Sequence, residues 1–127
     1  MRIVRPEPIT ALTASNIADT VPAYNAGTTY AKDALVRRDA DHGVYESQID
    51  GNVGQSLDDP TKWLRIGPTN QWAMFDEYNQ TQTVNATSIT AEWDATGRIN
   101  GMAFLNLNAA SITLTMTDAG AGVIYNQ

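Results

Sequence analysis

The amino-acid sequence predicts an all-β protein that consists of a small β-module followed by a partial β-sandwich. Short runs of apolar and β-branched residues alternate with turns rich in Gly, Asn and Asp, a pattern typical of short antiparallel strands. Residues 111–117 alternate strictly between hydroxyl and aliphatic side chains, as in a strand with one face on a core. No segment shows a helical period, so an all-β class is favoured over a mixed one.

Length and composition limit the size and the partners of the protein. The 127 residues suffice for one domain or two small ones, and the absence of cysteine excludes a disulfide framework and a thiolate zinc site. The net charge of -6 predicts repulsion from nucleic-acid phosphates. No apolar run approaches the roughly 20 residues that span a bilayer, and the first residues lack a signal-peptide core. We therefore expect a soluble protein made in the cytoplasm, with neither nucleic acid nor a membrane as its partner.

Residues 1–22 are expected to form an extended N-terminal arm. Arg-Pro, Glu-Pro and Val-Pro steps in this segment favour extended backbone over helix. The arm has apolar anchors but no fold of its own, so we expect it to borrow stability from a partner. A disordered leader is the alternative for a terminal segment of this kind. The anchors are Ile3, Val4, Ile9, Leu12 and Ile17.

Residues 23–68 are expected to form the β-module. Strands are predicted at 34–37 and 44–49, a turn at Asp50–Asn52, and a loop that returns Trp63 to the module. A unit of this size without disulfide or metal is near the lower limit for an independent core. We therefore expect it to lean on a neighbouring domain or subunit.

Residues 69–127 are expected to form the β-sandwich portion. Strands are predicted at 87–93, 99–107 and 111–117, and a glycine-rich turn leads into a last strand at 123–125. About four strands are fewer than the roughly seven of a typical sandwich. Either the chain belongs to a longer sandwich protein, or a neighbouring subunit completes the sheet.

Three apolar residues occupy the point where the chain leaves the module. Trp72, Met74 and Phe75 lie there within one short segment. Large apolar side chains at such a junction are expected to be buried between the units that they connect. We predict that they join the module to the sandwich portion.

The spacing of large residues in the module resembles that of a known family. Tyr24, Tyr30, Val36, Tyr45 and Trp63 fit the pattern of the chitin- and cellulose-type carbohydrate-binding modules. That pattern is an aromatic residue, a Tyr six residues later, a Gly-Asp pair, a Val, Gly-x-x-Tyr and a closing Trp. The departures are a Tyr in place of the leading Trp, a shorter Gly-to-Tyr spacing and the loss of a Gly-Asp pair.

The segments 45–54, 59–63 and 67–76 carry a second resemblance. Together with the module they are similar to a family of bacteriophage virion proteins in which such a module precedes a β-sandwich. The resemblance implies a carbohydrate-binding-like module and a sandwich of the jelly-roll or galactose-binding-like kind. It also implies a tail-associated structural protein of the virion, made in the cytoplasm of the host bacterium. The implied partners are other tail proteins, further copies of the chain and cell-surface polysaccharide.

The module type implies a glycan site, for which rings and polar neighbours are the required parts. Aromatic rings cover the apolar faces of sugars, while amide and carboxylate groups bind the hydroxyls. Burial in the core is the alternative to a role in sugar binding. It is favoured for Tyr30 and for Trp63, because a small domain must bury its largest side chains. Tyr24 and Tyr45 fit either interpretation. The candidate glycan residues are Tyr24, Tyr45, Trp63, Asn25 and Asn52.

No residue pattern predicts catalysis, a metal site or a cofactor. His42 lies in a charged turn, where a solvated side chain is the default. The carboxylate pairs Asp58-Asp59 and Asp76-Glu77 are adjacent residues, and their spacing does not by itself place two carboxyl groups across a sugar bond. We therefore predict no catalytic residue, no metal ligand and no cofactor, and a protein that is not an enzyme.

Two further functions remain open beside a tail protein that contacts glycans. The first is an accessory glycan-binding module of a secreted hydrolase. The second keeps the virion tail and drops sugar binding, so that the module serves as a spacer or an oligomerisation surface.

Overall fold

The protein is all-β, as the sequence predicts. The computed structural model describes residues 8–76, 78, 80–97, 99, 101–118, 120 and 122–126. One turn of 3-10 helix, at Ala73–Phe75, is the helical element of these residues. The strands are β1 (Ala14–Ser15), β2 (Leu35–Arg38), β3 (Gly43–Ser47), β4 (Trp63–Pro68), β5 (Ala91–Glu92), β6 (Thr115–Thr117) and β7 (Val123–Asn126).

An antiparallel sheet of order β2-β3-β4 forms the centre of the module. β2 and β3 occupy the predicted strands to within two residues and pair with Val36 opposite Tyr45. The turn between them places His42 at a φ of 53°, in the left-handed region. β4 begins at Trp63, the residue that the predicted loop returns to the module, and no strand was predicted there. Its pairing with β3 carries an irregularity beside Tyr45.

The core of the module is built around Trp63. Val36, Tyr45 and Leu57 are buried with it, and Tyr24 and Tyr30 pack against this cluster. The Trp63 ring meets the Tyr24 and Tyr30 rings nearly edge-on, at centroid distances of 5.6 and 5.4 Å. Edge-to-face contacts at such distances are favourable beyond the area they bury. A set of aromatic residues thus supplies most of the core that a module of this size can form.

Residues 13–22 belong to the fold, which corrects the expectation of an arm that depends on a partner. The N–H of Thr13 donates to the carbonyl of Glu92 at 2.8 Å, next to the pairing of β1 with β5. Ile17 is buried, with 5% of its surface exposed. The N–H of Arg37 in β2 donates to the carbonyl of Pro22 at 2.8 Å, so residues 22–24 cover that edge of the sheet. The predicted anchors Ile3 and Val4 lie outside the described residues.

The second half contains less regular structure than the sequence predicts. β5 covers two residues of the predicted strand at 87–93, and residues 99 and 101–107 form no strand. The predicted hairpin forms between β6 and β7, although β6 covers only the end of the predicted strand at 111–117. In place of the predicted sandwich, the described strands of this half form two separate pairs: β5 pairs with β1, and β6 pairs with β7.

An aromatic ladder joins the two halves. The ring of His42 lies parallel to that of Trp72 at 3.6 Å between centroids. Trp72 contacts Phe75 at 5.8 Å, and Phe75 contacts Trp93 at 5.7 Å, both in edge-on geometry. The predicted joining role of the segment is confirmed for Trp72 and Phe75. Met74 is half-buried and its N–H donates to the Thr83 hydroxyl at 2.9 Å.

The docked position of residues 13–22 predicts unequal effects of two isoleucine truncations. Ile17→Ala should lower the free energy of unfolding by about 2–5 kcal/mol, because it removes buried methyl groups and leaves a cavity. Ile89→Ala, at a side chain that is 45% exposed, should change it by less than about 1 kcal/mol. Urea unfolding followed by tryptophan fluorescence measures both. Equal effects would mean that the segment around Ile17 is not docked in solution.

Candidate functional site

Three of the five predicted glycan residues lie in the core. Trp63 is 2% exposed, Tyr45 4% and Asn52 1%. A sugar stacks on a ring only where the ring face meets solvent, and a buried amide cannot reach a sugar hydroxyl. The structure therefore corrects the prediction that these residues form a ligand surface: Tyr45, which fitted both interpretations, is a core residue.

Asn52 fastens the loop after β3 onto the module. Its side-chain Nδ2 donates to the Ser47 hydroxyl at 2.9 Å and to the Lys62 carbonyl at 3.1 Å. Its backbone exchanges two hydrogen bonds of 2.9 Å with Tyr30. The preceding Gly51, at a φ of 64°, makes the turn that the sequence predicts. Asn52 thus ties this loop to Ser47 and Lys62 through its side chain and to Tyr30 through its backbone.

Tyr24 and Asn25 are the two predicted glycan residues that reach the surface. Tyr24 is half-buried, its hydroxyl donates to the Gln55 carbonyl at 2.5 Å, and its ring is stacked on Tyr30 at 5.9 Å. Asn25 is exposed, and its side-chain oxygen accepts from the N–H of Gly27 at 2.8 Å. Both side chains thus already make hydrogen bonds within the fold.

A charged network on the β2–β3 hairpin escaped the sequence analysis. Oδ2 of Asp41 accepts from Nη2 of Arg38 at 2.8 Å and from the hydroxyl of Tyr45. Nη1 of Arg38 donates to Oδ1 of Asp58 at 2.6 Å, and the guanidinium carbon lies 4.9 Å from the centroid of the Tyr45 ring. The network crosses from one strand to the next, so no spacing along the sequence marks it.

The network fixes the protonation states of its members. Burial by itself would raise the pKa of Asp41, but hydrogen bonds from Arg38 and Tyr45 outweigh it and hold that pKa well below its usual range. Burial, followed by the hydrogen bond to Asp41, raises the pKa of Tyr45. A carboxylate that stays ionised and fully hydrogen-bonded neither gives nor takes a proton near neutral pH. The network therefore stabilises the hairpin and is unsuited to general acid–base chemistry.

The residues considered for catalysis have structural contacts. His42 is half-buried on Trp72, which corrects the expectation of a solvated turn. Asp58 pairs with Arg38, and Oδ1 of Asp59 accepts from the N–H and the hydroxyl of Thr61. Asp76 accepts from the hydroxyl of Thr81. Glu77 lies outside the described residues.

A groove of about 510 Å³ separates residues 10–15 from the β2–β3 turn. Its charged lining is satisfied within the protein. Nε of Arg37 pairs with Asp39 at 2.7 Å, and Nη1 of Arg37 donates to the Val21 carbonyl at 2.7 Å. Asp19 accepts from the N–H of Gln71 at 3.1 Å. The groove therefore offers a ligand few unpaired charges.

The second half presents several exposed large apolar side chains. We call them the C-terminal apolar surface, and they lie in residues 104–112 and in β7. Ile112, Val123 and Ile124 are exposed. Leu114 and Met116 are half-buried. The surface consists of Phe104, Leu105, Leu107, Ile112, Val123 and Ile124.

Comparisons with known proteins leave the sequence resemblance untested. No family model, no curated protein and no solved structure matches this chain. The resemblance to carbohydrate-binding modules and to bacteriophage virion proteins stays a prediction from the sequence motifs. Among the described residues, no three His, Cys, Asp or Glu side chains form a group that could hold a metal ion. None of the helical segments described is long and apolar enough to cross a membrane.

The depressed pKa of Asp41 predicts a specific loss of stability in acid. The folded pKa lies below the value of about 3.9 for an unfolded Asp, so the stabilisation is complete above that value and is lost as the pH falls towards the folded pKa. Asp41→Asn should lower the free energy of unfolding by about 1–3 kcal/mol at pH 7, since it weakens the hydrogen bonds of Arg38 and Tyr45. The difference from the wild type should shrink as the pH is lowered from about 5 to about 2.

Urea unfolding at a series of pH values measures this difference. Asp39→Asn is the matched control, because the Asp39 carboxylate is 71% exposed and its pair with Arg37 is worth little. A constant difference between the wild type and Asp41→Asn from pH 7 to pH 2 would contradict the assigned network.

Proposed function

We propose that this chain is a tail-associated structural protein of a bacteriophage virion, which assembles with neighbouring subunits through its second half. One observation supports an assembly role above all: within the described residues, burial ends at Thr83, and no side chain after it is buried. The module has a core of its own. The second half has apolar residues of the kind that form a core and leaves them in solvent.

Exposed apolar surface on this scale is typical of subunits. Contiguous apolar patches beyond a few hundred Å² are rare on monomeric proteins and mark interaction sites. Phe104, Leu105 and Leu107 are all exposed within four residues, and Val123 and Ile124 are exposed on β7. In a protein that is incorporated into a larger particle, such exposed apolar side chains become buried between subunits on assembly.

The bacteriophage tail enters the proposal through the sequence motifs of residues 1–80. Synthesis in the cytoplasm of the host bacterium and incorporation into the tail follow from that resemblance, with other tail proteins as partners. Neither a catalytic step nor a cofactor is needed for this role. This role also requires neither nucleic acid nor a membrane as a partner.

Among the versions of this role, the burial of the aromatic residues favours the architectural one. Tyr45 and Trp63 serve the core, so the module can act as a rigid spacer, while the sugar-stacking platform of a glycan-binding module is missing from the predicted position. The same observation weakens the interpretation as an accessory module of a secreted hydrolase. Glycan contact is left to Tyr24 and Asn25.

The assembly role predicts that the protein is a stoichiometric component of virus particles. Particles purified by density gradient from a phage that carries this gene should contain the chain at several copies per particle, measured by quantitative mass spectrometry. An amber mutation in the gene should yield particles with defective tails, and suppression of the mutation should restore them. Absence of the chain from purified particles would refute the proposal.

The buried rings predict that the chain does not bind polysaccharide through the module. Affinity electrophoresis in chitin, cellulose derivatives or host cell-wall polysaccharide should show no retardation of the wild-type chain, because Tyr45 and Trp63 are buried. Retardation that Tyr24→Ala abolishes and Tyr78→Ala preserves would restore the glycan role, since Tyr78 lies outside the module and is 72% exposed. Thermal unfolding of both variants shows whether either change acts through stability.

A further inference from the structure

The two edges of the module sheet differ in what covers them. At the β2 edge, the N–H of Arg37 donates to the Pro22 carbonyl at 2.8 Å, and the N–H of Tyr24 donates to the Arg37 carbonyl at 2.9 Å. β4 forms the opposite edge of the sheet. Within the part of the chain that the structure describes, the backbone of residues 64–67 is bonded to β3 and to no other segment. The β4 edge therefore presents backbone donors and acceptors with which another strand can pair.

Apolar side chains accompany this open edge. Leu64 and Ile66 are 51% and 49% exposed on β4. A groove of about 350 Å³ lies beside Ile66, with the buried side chains of Val44 and Ala73 in its lining. None of the residues that line this groove is ionisable. The β4 edge thus combines free backbone groups with an uncharged space beside them.

An extended polypeptide is the ligand that fits both features. In β-strand addition, main-chain hydrogen bonds to the edge of a sheet supply affinity, and pockets beside the edge select side chains of the added strand. A small molecule has no repeating backbone that could pair with β4. The groove is uncharged, so the side chain that enters it is apolar.

The charge around β4 indicates what else the added strand carries. Residues 60–75 contain Lys62 and Arg65 and no acidic residue, although the whole chain has a net charge of -6. The Arg65 side chain is 45% exposed. Asp41, at 3.7 Å from Arg65, already accepts hydrogen bonds from two other side chains and neutralises Arg65 only in part. Opposite charges on neighbouring strands attract each other, so an acidic residue next to Arg65 is favoured.

The same charges disfavour a second copy of the chain at this edge. Antiparallel pairing of β4 with itself, centred on the middle of the strand, would bring the two Arg65 side chains close together. Like charges on facing strands destabilise a strand pair. The irregularity in the β3–β4 pairing also opposes self-pairing, because bulges and edge charges are common protection against contact between identical edges. The partner that fits is therefore a different, acidic chain.

We propose that β4 is a docking edge for an extended segment of another protein, and that this segment contains apolar and acidic residues. The segment adds to the module as a fourth strand, with an apolar side chain in the groove and an acidic side chain next to Arg65. The docking edge is separate from the C-terminal apolar surface. It thus goes beyond the assembly role proposed above, which uses the second half of the chain.

Nuclear magnetic resonance of the full 127-residue chain with short synthetic peptides tests the docking edge. A peptide of alternating valine and glutamate should shift the amide signals of β4 and of the groove, and it should slow hydrogen exchange at the β4 amides. A peptide of alternating valine and lysine should bind at least about fivefold more weakly, because its charges repel Lys62 and Arg65. A peptide of alternating serine and glutamate should also bind more weakly, because it brings no apolar side chain to the groove.

Charge reversal on β4 separates the docking edge from unspecific attraction. Arg65→Glu should reverse the order of the valine–glutamate and valine–lysine peptides. Arg65→Gln, which adds no repulsion to Asp41, should bring their dissociation constants closer together. Lys32→Glu, at an exposed lysine outside β4 and the groove, is the matched control and should keep the wild-type order. Thermal unfolding of each variant shows whether the module stays folded.

Several results would overturn the docking edge. They are β4 signals that no peptide shifts, equal binding of the glutamate and lysine peptides, shifts confined to residues outside β4 and the groove, and a wild-type chain that pairs with itself through β4. The virion proposal is tested separately by the composition of particles. A chain that is found in particles but binds no peptide at β4 refutes the docking edge alone, and peptide binding by a chain that is absent from particles refutes the virion proposal alone.

Discussion

The burial of Trp63 is the constraint on which the module depends. Its indole is the largest side chain in the interior, and it holds Tyr24 and Tyr30 by edge-on contacts within 6 Å. Residue 63 also begins β4, so the same side chain fixes the third strand of the sheet. A ring used in this way is lost to ligands. The aromatic residues whose spacing resembles that of a sugar-binding module form the core here, and they are therefore not available as a sugar-stacking surface.

The two halves of the chain differ in whether they bury their large apolar side chains. The module encloses its rings, and the aromatic ladder from His42 to Trp93 extends that packing as far as the start of the second half. Beyond it, large apolar side chains stay in solvent. The module thus forms a core by itself. The second half contains apolar residues of the kind that form a core but leaves them exposed.

Local patterns predicted local structure. β2, β3, the turn at residues 50–52 and the β6–β7 hairpin follow from alternation and from turn residues, because all of their contacts lie close in sequence. The strand expected at 99–107 does not form among the described residues 99 and 101–107, since apolar residues give a preference while a strand also needs a partner. The docking of Asn16 onto residues 88–90 and the bond from Arg38 to Asp58 depend on which segments meet in space. The aromatic spacing is the same for a core and for a ligand site, and only burial distinguishes the two.

The pairing of β1 with β5 has a consequence for the order of folding during synthesis. Oδ1 of Asn16 accepts from the N–H of Thr90, a residue 74 positions later in the chain. At about 5–20 residues per second, the ribosome needs roughly 4–15 s to deliver that partner. Residues 13–16 therefore dock late relative to their own synthesis. During this interval the N–H of Thr13 and the side chain of Asn16 lack these partners, and the segment is accessible to chaperones and proteases.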